Sequence, residues 1–234
     1  MYSAFKRIAL VAAIALAVPG ALADQAVLNA SADNRLLQFS PDTSGPIDFL
    51  SVYDAVGNDQ RTVIHFDLAP IPVDSMIDSA TLRLNGLSYF GATTNTSFSA
   101  YRIIRAWNET QVTWNRAETG TNWTTPGGDF VGSSGQSYAD AYGTWSGAQS
   151  PNYTWYEVDV TGLIREYYDG THPNYGIGLD APVGCQLTFV SSEGAAPQGG
   201  GGGQVPELVV NYSPIPEPAS GLLVVLGVAL LRRR

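Results

Sequence analysis

His65, His172, Cys185 and the carboxylates are the side chains of this 234-residue chain that could carry proton transfer, nucleophilic attack or metal binding. A Ser-His-Asp centre needs a histidine between a serine and a carboxylate. His65 lies in Thr62-Val63-Ile64-His65-Phe66-Asp67-Leu68, where alternation puts Ile64, Phe66 and Leu68 on one face and His65 and Asp67 on the other. It therefore points outward, and no G-x-S-x-G presents a strained serine beside it. Cys185 is the lone cysteine, so it forms no internal disulfide. In Gly184-Cys185-Gln186-Leu187-Thr188 it reads as a small apolar residue at the start of a strand. Glycoside hydrolysis takes two positioned carboxylates, and no motif selects a pair among the twenty acidic residues between 24 and 215. The expectation is a non-enzymatic protein with no catalytic residues.

No His/Cys metal-binding pattern is present. Aspartates and the carbonyls of glycine-rich loops are hard oxygen ligands, so a structural calcium is the one cofactor that the composition suits. Without an EF-hand loop its ligands would come from separate loops, and the metal ligands are left unassigned. Aromatic residues are the stronger binding signal, because sugar rings pack their C–H faces on Trp and Tyr. Trp123, Tyr138, Tyr142 and Trp145 lie in a Gly/Ser/Thr-rich stretch and are the candidate glycan-binding residues. Their alternative role is a lid folded back over the core. Trp107 and Trp114, which flank Asn108–Thr113, read instead as core or structural residues.

Charge narrows the partners. Residues 24–215 contain seven arginines, no lysine and twenty carboxylates. Such a surface is repelled by phosphate backbones, so nucleic acid is not an expected partner. An acidic polysaccharide would need clustered arginines or a bridging calcium, whereas a neutral glycan escapes that problem.

The elements that must position these residues are short alternating segments broken by Gly, Pro and Asn. Thr62–Leu68, Ala80–Leu84, Phe98–Ile104, Trp155–Val160, Tyr175–Leu179, Leu187–Val190 and Leu208–Tyr212 read as strands. The fold class expected is all-β, an antiparallel β-sandwich or jelly roll. One helix is predicted near 161–168, where apolar residues recur at helical spacing after Thr161, a residue able to cap it. The five glycines Gly199–Gly203 read as a flexible loop within the domain.

Both ends of the chain carry targeting patterns. Lys6 and Arg7 precede the apolar stretch Ile8–Val18, and Ala21-Leu22-Ala23 offers small residues to a signal peptidase. Residues 1–23 read as a signal peptide, helical in its apolar part, with cleavage between Ala23 and Asp24; an uncleaved membrane helix is the alternative. At the other end, Ala219–Leu231 carries no charge and as a helix spans about 20 Å, against about 30 Å of hydrocarbon. With Pro216-Glu217-Pro218 before it and Arg232-Arg233-Arg234 after it, segment 214–234 resembles the PEP-CTERM sorting signals of Gram-negative bacteria. That resemblance implies processing by an exosortase. The protein would hold the inner membrane transiently through its C-terminal hydrophobic helix, then move to the cell surface or extracellular matrix. An ordinary tail anchor would leave the same domain outside but permanently held.

Residues 24–213 would then form the domain. Asp33-Asn34-Arg35-Leu36, Arg61–Leu68 with Ile71-Pro72, and Ile77–Leu84 resemble the DNRLRE-type domain. So do Trp107–Asn115, Val158–Thr161, Asn174-Tyr175-Gly176 and Pro206–Tyr212. The chain departs from the pattern at Leu37-Gln38 and in an expanded region, Ala117–Asn152. The resemblance covers Ala26–Ser213 and implies a β-sandwich module of secreted bacterial proteins, some of whose relatives bind carbohydrate, alginate included. The function expected is a surface or matrix protein that binds extracellular polysaccharide or has a structural role in the matrix. The alternatives are an adhesive protein that binds another protein and, last, a polysaccharide hydrolase or lyase.

Overall fold

Alternating apolar residues build the strands, and proline, glycine and aspartate stop them. The computed structural model describes residues 23–44, 49–87, 96–148, 153–194 and 204–215. The signal segment up to Leu22, the five-glycine run, and the sorting residues Pro216, Glu217, Pro218, Arg232, Arg233 and Arg234 lie outside them. No helix among the described residues is long and apolar enough to cross a membrane. In chain order the strands are β1 Asp24–Asn29, β2 Ala32–Leu37, β3 Phe49–Tyr53, β4 Gln60–His65, β5 Ser75–Leu87, β6 Thr96–Ile103 and β7 Arg116–Glu118. They continue as β8 Thr121–Asn122, β9 Phe130–Val131, β10 Gly143–Gly147 and β11 Trp155–Asp159. Helix α1 Thr161–Tyr168 follows, and β12 Ile177–Asp180, β13 Gln186–Val190 and β14 Glu207–Pro214 close the chain.

The predicted antiparallel sandwich is the observed architecture. One sheet runs β1-β14-β5-β11. The other is built around β4, which pairs with β2 and β12, and continues through β6 to β10. The long β5 joins the two layers: its first part pairs with β14 and β11, while Gly86 and Leu87 reach β13 of the second sheet. Between the sheets, Leu82, Leu84, Val158 and Val210 face Leu50, Ile64, Phe98 and Phe189 in a dry core. Burial of this apolar surface is the main drive for the two sheets to associate.

Alternation has a second consequence. On β4 and β6, Val63, Tyr101 and Ile103 face away from that core and are buried too. A separate cluster covers them: Leu36, Val112, Trp114, Ala117, Trp123 and Phe130. Val112, Trp114, Ala117 and Trp123, from the segment after β6 and the start of the expanded region, thus form a third layer over part of the outer face of the second sheet, while β10 of the same region joins the sheet itself.

Two local expectations are corrected. The strand expected over Thr62–Leu68 ends at His65. Asp67 accepts the Ala69 N–H at 2.9 Å and turns the chain ahead of Pro70 and Pro72, which have no N–H for a ladder. The helix forms where predicted and buries Leu163, Ile164 and Tyr167, but Thr161 does not cap it. Its hydroxyl accepts the Ala80 N–H of β5 at 2.9 Å, while Asp159 accepts the Thr161 N–H at 2.8 Å. Arg165 completes the docking by donating to the carbonyls of Ile77 and Asp78, each at 2.8 Å.

Candidate functional site

Trp107, Tyr175, His65, Asn174, Ala32 and Ala106 line an open depression of about 240 Å³. Each wall is held from the backbone. Trp107 follows β6 and is half-buried against the outer core, and its indole N–H donates to the Tyr175 carbonyl at 2.7 Å. Asn174 donates to the Phe66 carbonyl at 2.9 Å and accepts the Gly176 N–H at 3.1 Å, which fixes the turn before β12. The Tyr167 hydroxyl, from α1, donates to the Gly176 carbonyl at 2.6 Å. Two aromatic residues on a preformed concave wall, with polar groups beside them, suit the C–H face of a sugar.

His65 is held in this wall by its neighbours. Ser31 Oγ lies 2.8 Å from its Nδ1, and the ring also bonds the Asn174 backbone. Burial holds the imidazole below its usual titration range, with the Asn174 bond and Asp67 opposing that shift. The fold therefore favours the neutral ring, while the unfolded chain takes a proton near the ordinary value of about 6.5. The contribution of His65 is fully present above that value and is lost as the pH falls from there through the lower value of the folded state. His65→Gln is expected to flatten the fall in urea-unfolding stability between about pH 7 and pH 5, and an unchanged slope would count against this role.

The four candidate glycan aromatics do not share a surface. Trp123 is only 4% exposed and its indole donates to the Thr113 carbonyl at 2.9 Å, so it is a core residue of the third layer. Tyr138 packs against Tyr101 and Phe130 in the same layer, and its hydroxyl bonds the Gly128 carbonyl at 2.6 Å. Tyr142 and Trp145 belong to the opposite face of the second sheet. Tyr142 donates to Glu166 at 2.5 Å, and burial with that carboxylate pushes its phenol up to about 12. Trp145 stacks on Phe98 at 6.0 Å and meets Tyr156 edge-on at 4.6 Å. Val63, Tyr101 and Ile103 on the outer faces of β4 and β6 need a cover, and Trp123 and Tyr138 of the Gly/Ser/Thr-rich stretch supply part of it. Of the two tryptophans read as core, Trp114 is 6% exposed and conforms, while Trp107 turns to the depression. Nothing in their residue types separates the two; the chain direction after β6 does.

The arginines are committed one by one. Arg61 pairs with Asp180, Arg83 with Glu157 and Glu207, Arg105 with Asp129, and Arg102 lies 4.0 Å from Glu166. Arg165 serves backbone carbonyls, Arg116 reaches the Gln111 carbonyl, and Arg35 sits over the Phe49 ring. They stand on different elements as partners of carboxylates, carbonyls and rings, so they offer no collected basic patch for an acidic glycan. Carboxylates do collect: Asp33, Glu109 and Glu193 each bring one oxygen within 4.8 Å of the others.

No curated protein matches the chain. The description "disaggregatase related repeat domain" fits residues 33–198, from the aspartate of β2 to beyond β13. That span holds the second sheet, its covering layer and every wall residue of the depression except Ala32. Because it takes in well over half of the sequence, the chain belongs to the disaggregatase-related repeat domain family.

Proposed function

We propose that this is an exported, non-enzymatic protein of the cell surface or extracellular matrix whose sandwich binds carbohydrate at the depression between Trp107 and Tyr175. The observation that carries the reading is that depression, a concave wall with two aromatic residues fixed by backbone hydrogen bonds. Membership of a carbohydrate-binding-like β-rich family supports it. The dispersed, paired arginines favour neutral glycans over acidic ones. Export through the N-terminal segment and exosortase sorting through Pro216-Glu217-Pro218 and the terminal arginines rest on the sequence patterns, as does the likeness to DNRLRE-type modules.

The test is binding of purified protein to neutral and acidic bacterial polysaccharides, with calcium and with chelator, while watching for depolymerisation. Trp107→Ala is expected to weaken binding to a neutral glycan at least about tenfold, the loss of one stacked ring. Trp123→Ala should lower stability without that selective loss. Binding unchanged in Trp107→Ala and Tyr175→Ala would remove the depression from the account, and turnover of a glycan would revive the hydrolase or lyase reading.

A second reading is a structural or adhesive protein that binds another protein. The buried Trp123 and half-buried Tyr138 favour it, because those loop aromatics are spent on packing. It predicts no saturable glycan binding under any of the same conditions.

A further inference from the structure

Asp33 is the most deeply buried carboxylate described, 1% exposed at the start of β2, and its surroundings are of the wrong sign. Its Oδ2 accepts the Ser192 N–H at 2.8 Å, but its Oδ1 is buried with no hydrogen-bond partner. Instead of a cation it meets two more carboxylates, Glu109 from the loop after β6 and Glu193 from the loop after β13. None of the paired arginines serves this group. Burial, then the charges of Glu193 and Glu109, push the Asp33 carboxyl up, to about 7. An uncompensated buried carboxylate is strongly unfavourable, so the arrangement calls for a counter-charge.

Three segments distant in sequence are pinned to deliver these oxygens. The Asp33 N–H donates to Glu109 Oε1 at 2.9 Å, and Asn34 Nδ2 donates to the Glu109 carbonyl at 2.6 Å. Ser192 is tied to Asp33, which sets the loop that carries Glu193. The donors are all hard carboxylate oxygens with no nitrogen or sulfur, the chemistry of calcium rather than zinc or copper. Calcium binds oxygens at about 2.3–2.6 Å, so ligands on opposite sides of one ion are about 5 Å apart. Three oxygens within 4.8 Å of one another can therefore share it. Glu193 is exposed, which leaves one side open for water to complete the shell.

We propose that Asp33, Glu109 and Glu193 bind one calcium ion that joins β2 to the loops after β6 and β13. The ion supplies the charge that the buried Oδ1 lacks and stabilises the edge from which Ala32 and Trp107 reach the depression. This assignment stands whether or not the depression binds sugar.

The test uses the full chain, stripped with EDTA and titrated with calcium chloride by calorimetry, with magnesium chloride in parallel and thermal unfolding in both states. One calcium per chain is expected, bound more tightly than magnesium, with Tm raised by about 5 °C or more at a hundredfold excess over Kd. Glu193→Gln, at an exposed position where folding is tolerated, should weaken calcium at least about tenfold through loss of one charged ligand. Asp33→Asn should abolish both the binding and the Tm response. Absence of binding heat and of a Tm shift at millimolar calcium would overturn the proposal, leaving a shared proton as the compensation. Wild-type affinity in both Glu193→Gln and Glu109→Gln would overturn it as well, and equal affinity for magnesium would overturn the choice of calcium.

Discussion

Gly176→Ala is expected to lower stability by about 3 kcal/mol or more and Tm by about 6–12 °C, among the largest effects of any single methyl in this chain. Gly176 has φ +98°, a conformation that L side chains rarely adopt. Its missing side chain also leaves room for β4, since a Cβ there would overlap the Ile64 carbonyl oxygen and lie 3.3 Å from the His65 Cα. Both neighbours are backbone atoms and cannot rotate away. The Gly176 carbonyl is meanwhile held by the Tyr167 hydroxyl at 2.6 Å and the Ile103 N–H at 3.2 Å, so a shift of the turn breaks these bonds too. Gly57→Ala is the control: φ is +74°, but nothing lies within 4 Å of the added carbon, and a cost of about 1 kcal/mol is expected. Urea unfolding of the two variants separates backbone strain from overlap. Equal costs would show that the approach of this turn to β4 is not tight.

Arg61→Ala is expected to cost about 3–5 kcal/mol, because it strands the Asp180 carboxylate of β12 between the second sheet and its covering layer. The guanidinium lies over the Trp114 ring at 5.1 Å and the Tyr138 ring at 4.3 Å. It donates to Asp180 at 3.1 Å, to the Tyr138 hydroxyl at 2.6 Å and to the Gly127 carbonyl at 3.2 Å. Burial raises the Asp180 carboxyl and Arg61 opposes that rise, so removing Arg61 leaves the burial opposed only by the Ala181 backbone N–H, with the charge of Asp54 adding to it. Arg61→Met keeps an apolar stem between the rings and should recover part of the loss. The double variant Arg61→Met/Asp180→Asn should recover more, since it removes both charges together. Chemical denaturation of the set gives the coupling. Additive losses in the double variant would mean that the pair does not act as a unit.

The strands were legible where one face is dry. Ala80–Leu84 and Leu208–Tyr212 alternate clearly because β5 and β14 bury one side only, and both are longer in the fold than the pattern suggests. The helix was legible from Leu163, Ile164 and Tyr167, whose spacing suits a helix and not a strand. Its cap was not, because the Thr161 hydroxyl is drawn to β5 by a neighbour 81 residues away. The strands β1, β2, β3 and β10 were not read from the sequence, and neither were the short β7, β8 and β9, whose two or three residues carry no period. The aromatic stretch was found, but its use was not: Trp123 and Tyr138 cover β4 and β6, a need visible only once Val63 and Ile103 are known to lack another cover.

By itself the sequence determined the all-β class, the helix at Thr161–Tyr168 and the acidic balance, because these depend on residue types and local period. Tertiary structure alone decided that Trp107 rather than Trp123 faces the depression, and that Asp33, Glu109 and Glu193 meet. The physical reason is reach. Periodicity reports which side of its own strand a residue occupies, whereas a site is made by residues on different strands and loops. Whether such residues adjoin is set by the order of pairing and by which faces the covering layer must keep dry.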